Sequence, residues 1–242
     1  MNKIHELLGY DRIKIIQNDE MFSFSLDSML LANFVNTKGS KNIIDLGTGN
    51  APIPLFLTLK TDAKIIGVEI QKEVYDLACE SVKINNFEKQ ISIINSDIKD
   101  IYRTVGANNF DIVICNPPFF KYSKESIINK NDYLTIARHE VLVTIVDIIK
   151  EANKLLCNGG KLYLVHRVNR MTEIIKDLEE NNFGIKKIQL IYPVKDKDAY
   201  MFLLEAKKNR PTDLVIGKPL IVYENNEYTE EVKEIFNFNK NK

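Results

Sequence analysis

The stretch Phe110-Asp111-Ile112-Val113-Ile114-Cys115-Asn116-Pro117-Pro118-Phe119-Phe120 decides the fold. A short apolar run that stops at two prolines is typical of a buried strand, because proline lacks a backbone N–H and fixes φ. A residue before proline is pushed toward extended geometry, so Asn116 is expected at the carboxyl end of the strand with its amide held in one direction. The stretch therefore predicts a rigid strand end that carries an amide.

The residues at this strand end suit a planar group that bears an NH2. The Asn116 amide and the main-chain carbonyls of Asn116 and Pro117 offer hydrogen-bond acceptors, and an aromatic ring follows at Phe119. A nucleobase amine or a glutamine side-chain amide fits such a set. A strand-to-loop turn built from turn-forming residues explains the same tetrapeptide equally well, so both interpretations stay open on these residues alone.

A second signal lies upstream, in a strand, glycine turn and helix. The strand 42–46 leads into Gly47-Thr48-Gly49-Asn50-Ala51-Pro52, a helix follows over 53–59, and a strand over 63–69 ends at Glu69. Glycines let the backbone approach a ligand, and an acid about twenty residues later can accept from both hydroxyls of a ribose. The spacing predicts a nucleotide-type site, with a glycine turn that holds no ligand as the alternative.

Two residues of this unit argue against a nicotinamide cofactor. Pro52 stands where a dinucleotide site would have a third glycine, and the Asp45 carboxylate would repel a diphosphate but attract a cation. S-adenosylmethionine has a ribose and a positive charge and lacks phosphates. We therefore expect S-adenosylmethionine as the cofactor and rank an oxidoreductase below a methyltransferase.

The remaining chain continues the alternation of strands and helices. Asp97, just past the third strand, is placed to accept from the amine of an adenine or to cap a helix. Helices are predicted over 72–86, 140–156 and 171–181, and strands over 91–96, 161–165, 185–193 and 199–206, with an extended tail over 214–223.

An N-terminal hairpin and helix precede this core. Strand 10–17, turn 18–20 and strand 21–25 form the predicted hairpin, and a helix opens at Asp27 and runs to Val35. The chain is thus expected to divide into an N-terminal extension, a catalytic domain and a C-terminal extension with a frayed end, over residues 1–36, 37–210 and 211–242.

Composition limits the other possibilities. At 242 residues and 45% apolar content the chain can bury one sizeable core, and no apolar run is long enough to span a membrane. The N-terminus lacks a signal-peptide pattern, so we expect a cytoplasmic location and no membrane partner. Three cysteines lie far apart in apolar or helical contexts, which predicts buried thiols and no metal: Cys79, Cys115 and Cys157.

The formal net charge of the chain is +0, so its total charge does not predict binding to nucleic acid. Basic residues nevertheless outnumber acidic ones between Lys161 and Arg210. Four more flank the Asn-Pro-Pro-Phe loop, and either solvated surface or phosphate binding explains them: Lys121, Lys124, Lys130 and Arg138.

These residues resemble a class I S-adenosylmethionine-dependent methyltransferase, and Asn116-Pro117-Pro118-Phe119 resembles the signature of amino-methyltransferases acting on adenine N6, guanine N2 or glutamine amides. Over most of the chain the sequence is similar to the bacterial tRNA1(Val) adenine-N6 methyltransferase family. One departure lies in the turn, which reads Gly47-Thr48-Gly49-Asn50-Ala51-Pro52 where many relatives have Gly-Thr-Gly-Ser-Gly. The similarity rests on Leu7-Leu8-Gly9-Tyr10, Phe22-Ser23-Phe24-Ser25-Leu26-Asp27, Asp45-Leu46-Gly47-Thr48-Gly49, Gly67-Val68-Glu69-Ile70-Gln71, Ala137-Arg138-His139-Glu140 and Pro219-Leu220-Ile221-Val222-Tyr223.

The resemblance implies a fold and a reaction. The fold is α/β, with a seven-stranded, mostly parallel, doubly wound Rossmann-like sheet whose last strand is antiparallel. The reaction is methylation of an adenosine N6 in tRNA, next to the anticodon of a valine tRNA. Catalytic roles fall on Asn116, Pro117 and Phe119; cofactor contacts on Asp45, Gly47, Thr48, Gly49, Asn50, Glu69, Ile70, Asp97, Ile98 and Asn116; and substrate contacts on Phe119, Phe120, Lys121 and Arg138.

In the expected mechanism the Asn116 oxygen and the Pro117 carbonyl accept from the two N–H bonds of the adenine amine, and Phe119 stacks on a base rotated out of the anticodon loop. Arg138 suits a phosphate contact. His139 is interpreted as a helix-start or loop-packing residue rather than a base, and the role of Glu140 is left open.

Several alternatives remain. A protein glutamine N5-methyltransferase of release factors would also use Asn-Pro-Pro, although such enzymes usually have Tyr where this chain has Phe119 and a helical N-terminal domain. An rRNA base amino-methyltransferase is a further enzyme of this kind. Outside enzymes, a silent cofactor-binding module that interacts with RNA would tolerate loss of Asn116. A monomer or a weak homodimer is expected.

Overall fold

The computed structural model describes residues 2–7, 10–18, 25–119 and 143–236. Strands and helices alternate through most of this span. In chain order they are β1 (Asn2–Leu7), β2 (Tyr10–Asn18), α1 (Leu26–Phe34), β3 (Asn42–Leu46), α2 (Pro52–Leu57), β4 (Lys64–Glu69), α3 (Lys72–Ile84), β5 (Ile91–Asn95), α4 (Tyr102–Val105), β6 (Phe110–Cys115), α5 (Ile145–Leu155), β7 (Leu156–Arg167), α6 (Met171–Glu180), β8 (Phe183–Tyr192), β9 (Met201–Lys208), β10 (Val215–Ile216), β11 (Leu220–Ile221), β12 (Tyr223–Glu224), β13 (Glu227–Tyr228) and α7 (Glu230–Phe236).

A central sheet runs in the order β5-β4-β3-β6-β7-β9-β8. All of its pairings are parallel except those of β9, which is antiparallel to both of its neighbours. The predicted α/β fold with a seven-stranded core and one antiparallel strand is therefore confirmed. Two strands of two residues each, β10 and β11, pair parallel with β8 and extend the sheet to nine strands.

The core forms one layer on each face of this sheet. On β6, Ile112 and Ile114 belong to the layer that includes α1 and α2, whereas Val113 and Cys115 belong to the layer beneath α5 and α6. This follows from the period of two along a strand. A strand buried on both faces reads as the continuous apolar run seen in the sequence.

The N-terminal hairpin is not the predicted one. Strand β2 pairs antiparallel with β1, with Ile4 opposite Ile16, rather than with a strand over 21–25, of which 21–24 lie outside the described residues. Strand β1 carries no apolar pattern that would predict it, because all but one of its side chains are exposed. Strand β1 forms because it pairs with β2, although the composition of β1 alone does not predict a strand.

Helix α5 begins at Ile145, not at Glu140 as predicted. Thr144 and Asp147 form a capping box, in which the Asp147 N–H donates to Thr144 Oγ1 (3.2 Å) and the Thr144 N–H donates to Asp147 Oδ2 (3.0 Å). The predicted end at residue 156 is one residue late, since α5 ends at Leu155 and β7 begins at Leu156. Helices α4 and α7 and the hairpin of β12 and β13 were not predicted.

Among the described residues, no helix is long and apolar enough to cross a membrane.

Candidate active site

Two neighbouring strands of the sheet end at the same level, and the candidate site begins there. Leu46 of β3 pairs with Cys115 of β6 in parallel register, so Gly47 and Asn116 leave the sheet side by side. The buried Cys115 thiol donates to the Leu46 carbonyl at 3.0 Å and ties the two ends together. The carboxyl ends of parallel strands are where open α/β sheets bind ligands.

The glycine turn is held close against β4. The N–H groups of Gly47 and Thr48 both donate to the Val68 carbonyl at 2.9 Å. Gly67 permits this approach, because a Cβ there would lie 2.8 Å from Thr48 Cγ2. Gly47 and Gly49 have φ of +74° and +58°, a region that favours glycine.

Asp45 is a fully buried carboxylate beneath this turn. The Thr48 hydroxyl donates to Asp45 Oδ2 at 2.6 Å, whereas Asp45 Oδ1 is buried and accepts no hydrogen bond from any described residue. Burial, opposed by the Thr48 hydrogen bond and assisted by the nearby Glu69 carboxylate, raises the pKa of Asp45 to about 7. An unsatisfied buried acceptor of this kind suits a cationic ligand.

Glu69 connects the turn to the next strand. Its Oε2 accepts from the Gly49 N–H at 3.0 Å and its Oε1 accepts from the Gln71 N–H at 2.9 Å. Burial raises the pKa of this carboxyl, while the backbone N–H groups lower it. Each oxygen keeps a lone pair, so the carboxylate can still accept from the hydroxyls of a ribose.

The other predicted cofactor residues divide by position. Ile98 is buried, and its Cδ1 lies 3.9 Å from the position of a Cβ on Gly47, while Ile70 is exposed at the end of β4. Asp97 Oδ1 accepts from the Lys99 N–H at 2.9 Å, which is a local turn and not a helix cap. The buried Asn50 amide donates to the Ile16 carbonyl at 2.8 Å, so it joins the turn to strand β2.

On the other side of the site, the Asn116 amide is already oriented. Its Nδ2 donates to the hydroxyl of Ser28, on α1, at 2.9 Å. No described residue donates to Asn116 Oδ1 or to the carbonyl of Pro117, so two acceptors stay available next to each other.

Phe119 lies among side chains from β7 and the segment before β9. The His166 ring meets it edge-on, with centroids 5.4 Å apart, and the Arg167 guanidinium lies 5.6 Å from its centroid. Arg167 also lies 5.8 Å from the ring of Tyr200. Burial, followed by the positive charge of Arg170, lowers the pKa of His166 to about 4, so this imidazole is neutral at physiological pH.

Four residues that lie around Asn116 and Phe119 were not predicted as part of the site: Ser28, His166, Arg167 and Tyr200. Ser28 and Tyr200 carried no signal, because their proximity to the Asn-Pro-Pro-Phe motif comes from elements far away in the chain.

Several predicted residues lie outside the described part of the chain: Phe120, Lys121, Arg138, His139 and Glu140. In the part that is described, no three His, Cys, Asp or Glu side chains group as metal ligands. The cysteines are free; Cys115 is buried and Cys79 and Cys157 are only half-buried.

The sequence profile of the family "Methyltransferase small domain" matches residues 12–188. Among curated proteins, the chain is similar to the tRNA1(Val) (adenine(37)-N6)-methyltransferase of Trichodesmium erythraeum, with 25% identity over 84% of this chain and 83% of the relative. It is also similar to the protein of that name from Haemophilus influenzae, with 26% identity over 93% and 94% of the two chains.

Solved structures share the fold. A predicted O-methyltransferase from Agrobacterium tumefaciens superposes with a TM-score of 0.68 and 25% identity, covering 87% of this chain and 95% of its own. A methyltransferase from Pyrococcus furiosus has a TM-score of 0.61 at 18% identity, covering 84% and 92% of the two chains, and this second likeness concerns the fold alone.

Proposed function

The chain belongs to the methyltransferase small domain family, and we propose that it transfers a methyl group from S-adenosylmethionine to the N6 of an adenosine in tRNA. The observation that carries this proposal is the pairing of Leu46 with Cys115. It brings a buried carboxylate, Asp45, to one strand end and to the next the Asn116 amide, whose oxygen accepts from no described residue. A cation and a planar amine can therefore meet between adjacent strands.

The residues of the glycine turn fit S-adenosylmethionine, which when bound supplies an electrophilic methyl group. Asp45 Oδ1 is the acceptor without a described partner, and it would face a positive charge. Glu69 would accept from the ribose hydroxyls while it keeps its bonds to the Gly49 and Gln71 N–H groups. Asp97 and Ile98 would border the adenine.

On the acceptor side the chain orients an amine rather than deprotonating it. The lone pair of an adenine N6 is delocalised into the ring, and acceptors on both N–H bonds favour the pyramidal nitrogen of the transition state. Asn116 Oδ1 and the Pro117 carbonyl would supply these two acceptors. Phe119 would stack on the base, and its edge-on contact with the neutral His166 would hold the ring in position.

The finer choice of substrate follows the names of the relatives. Proteins similar to this chain over more than four-fifths of its length are named for adenine 37 of tRNA1(Val). We propose the corresponding adenosine, next to the anticodon of a valine tRNA. A base in a single-stranded loop is cheap to rotate outward, which suits an enzyme whose formal net charge is +0. Because tRNA is the proposed substrate, we place the enzyme in the cytoplasm.

The proposal is tested by incubating the protein with labelled cofactor and, in separate reactions, bulk tRNA, rRNA or a release factor, followed by digestion to nucleosides or amino acids. We expect N6-methyladenosine as the labelled product. Label in a release factor, as methylated glutamine, would favour the glutamine-methylating alternative instead. Label in rRNA alone would favour the rRNA enzyme, and cofactor binding without any transfer would favour the silent module.

Asn116→Ala tests the assigned role within this reaction. We expect turnover to fall by about 2–4 kcal/mol of activation free energy while cofactor affinity changes little. Glu69→Ala is the reciprocal control, since it should weaken cofactor binding, measured by calorimetry. Equal losses of affinity and turnover in Asn116→Ala would contradict the role given to the amide.

A further inference from the structure

Helix α1, outside the central sheet, supplies a hydrogen bond to the proposed catalytic amide. Asn116 Nδ2 donates to Ser28 Oγ at 2.9 Å, although the two residues are 88 positions apart. Ser28 is buried, with 5% of its surface exposed. The bond thus joins a buried hydroxyl to the half-buried Asn116 amide, so it is partly shielded from water.

In the structure this bond holds the amide with its Nδ2 against the Ser28 hydroxyl. An amide is planar, so fixing its NH2 group also fixes the position of its oxygen. Among the described residues, none donates to Oδ1. If the amide were reversed, its N–H groups would face the N–H groups of the acceptor amine, and neither side could accept a hydrogen bond.

Helix α1 is itself held firmly against the core. The Lys60 ammonium donates to three carbonyls at its carboxyl end, those of Ala32 (3.1 Å), Asn33 (2.6 Å) and Val35 (2.6 Å). The following Asn36 N–H donates to the Tyr163 hydroxyl at 3.3 Å. Ser28 therefore occupies a fixed place, which a positioning role requires.

We infer that Ser28 is a positioning residue for methyl transfer, because it fixes the Asn116 amide with its oxygen toward the acceptor amine. The inference rests on the proposed function. It assigns α1 a part in the reaction that goes beyond packing. Ser28 does not touch the substrate in this role but acts through Asn116.

The kinetic test compares Ser28→Ala in two backgrounds. In the native background we expect kcat to fall about 10- to 100-fold, as for a small misplacement of a reacting group, with little change in the KM for tRNA or in cofactor affinity. In the Asn116→Ala background, Ser28→Ala should have no further effect on kcat. A similar loss in both backgrounds would overturn the inference.

Ser81→Ala is a matched control. Ser81 is a fully buried serine whose hydroxyl accepts from the Ile16 N–H at 2.9 Å, so its loss removes a buried hydrogen bond far from the amide. We expect this variant to unfold at lower urea concentration and to keep its kcat when folded. If Ser81→Ala lowered kcat as much as Ser28→Ala, general loosening would explain both, and the inference would fail.

A second readout needs neither cofactor nor tRNA. The Asn116 side-chain NH2 signals, assigned by their absence in Asn116→Ala, should shift in the ¹H–¹⁵N spectrum of Ser28→Ala and exchange faster with water. Unshifted signals would refute the hydrogen bond in solution. If the spectra shift but the native protein methylates no RNA, the proposed function is wrong while the contact stands; full activity of Ser28→Ala refutes only the inference.

Discussion

At the scale of single residues, Asp45 ties cofactor affinity to pH. Its pKa is raised to about 7 by burial, so the carboxyl is partly protonated in the free protein at neutral pH. A cation beside it favours the charged form and lowers that pKa. Binding then releases a proton, and affinity for S-adenosylmethionine should rise with pH up to about 7, by as much as about tenfold per pH unit.

Calorimetry in buffers of different ionisation enthalpy measures this proton release. Glu69 has a raised pKa as well, so the comparison with Asp45→Asn isolates the contribution of Asp45. The variant should bind more weakly and lose most of the pH dependence. In the native protein the Thr48 hydroxyl lowers the pKa of Asp45. Thr48→Val removes this hydroxyl, so it should move the midpoint of the pH dependence of cofactor affinity upward. An unchanged pH profile in Asp45→Asn would assign the dependence to another group.

Ala51 is a residue in a conformation that suits glycine better. Its φ is +69°, in the left-handed region, which costs an L-residue about 1–2 kcal/mol. Ala51→Gly removes that strain but adds backbone freedom to the unfolded chain, so we expect a net stabilisation of about 0.5–1 kcal/mol in urea unfolding. Ala78→Gly, within helix α3, is the control and should destabilise by about 1 kcal/mol or more. Destabilisation by Ala51→Gly would show that the turn needs the methyl group.

At the scale of elements, helix α1 is stabilised by the Lys60 ammonium, which lies in the turn after helix α2. Lys60 satisfies three carbonyls at the end of α1, and burial lowers its pKa to about 8, so the ammonium still predominates at pH 7. We expect Lys60→Met to lower the free energy of unfolding by about 1.5–3 kcal/mol. Lys64→Met is the control, because Lys64 is exposed and donates to one carbonyl, that of Lys89. Equal effects of the two substitutions would exclude the capping role.

Elements were predictable where the sequence carries their own signal. Strands β3 and β6 have the predicted bounds, since a buried strand reads as an apolar run between turn residues. Strand β1 carries no such run and is ordered by its partner. Helix α5 starts late because a capping box at Thr144 outweighs the helical pattern before it. The predicted bounds were thus wrong where a neighbouring strand or a helix cap, rather than hydrophobic periodicity, determines where an element begins or ends.

The candidate site was predictable for the residues at the strand ends and not for the residues that orient them. Asp45, Glu69 and Asn116 could be placed at one edge because parallel strands end together, and the structure does bring their strands side by side. The partner that orients Asn116 could not be found, because a lone serine 88 residues away gives no pattern. The amide of Asn50, predicted for the cofactor, is instead bound to the backbone of β2. The cofactor and substrate roles, and the three domain ranges, stay predictions.

At the scale of the whole molecule, His166 makes folding stability depend on pH. The side chain has no exposed surface, its Nδ1 accepts from the Arg167 N–H at 2.8 Å, and no described residue partners its Nε2. Its pKa is lowered to about 4, against about 6.5 in an unfolded chain. Between these values the unfolded state binds a proton that the folded state does not.

The sign follows from this difference. The stability that His166 contributes is complete above about pH 6.5 and is lost as pH falls toward about 4, at roughly 1.4 kcal/mol per pH unit. The buried carboxyls Asp27, Asp45 and Glu69 oppose this trend, because their raised pKa values let the folded state bind protons first. The total pH dependence is therefore smaller than the His166 contribution alone.

Urea unfolding of the native protein and of His166→Asn across pH 7 to 4.5 separates the two effects. Asparagine keeps an acceptor for the Arg167 N–H but does not titrate, so the stability advantage of the native protein should shrink by about 2–3 kcal/mol over this range. His5→Asn, at an exposed position on β1, is the control substitution. A constant difference between native and His166→Asn proteins would mean that His166 is protonated without cost in the folded state, and Phe119 would then lie against an imidazolium rather than a neutral ring.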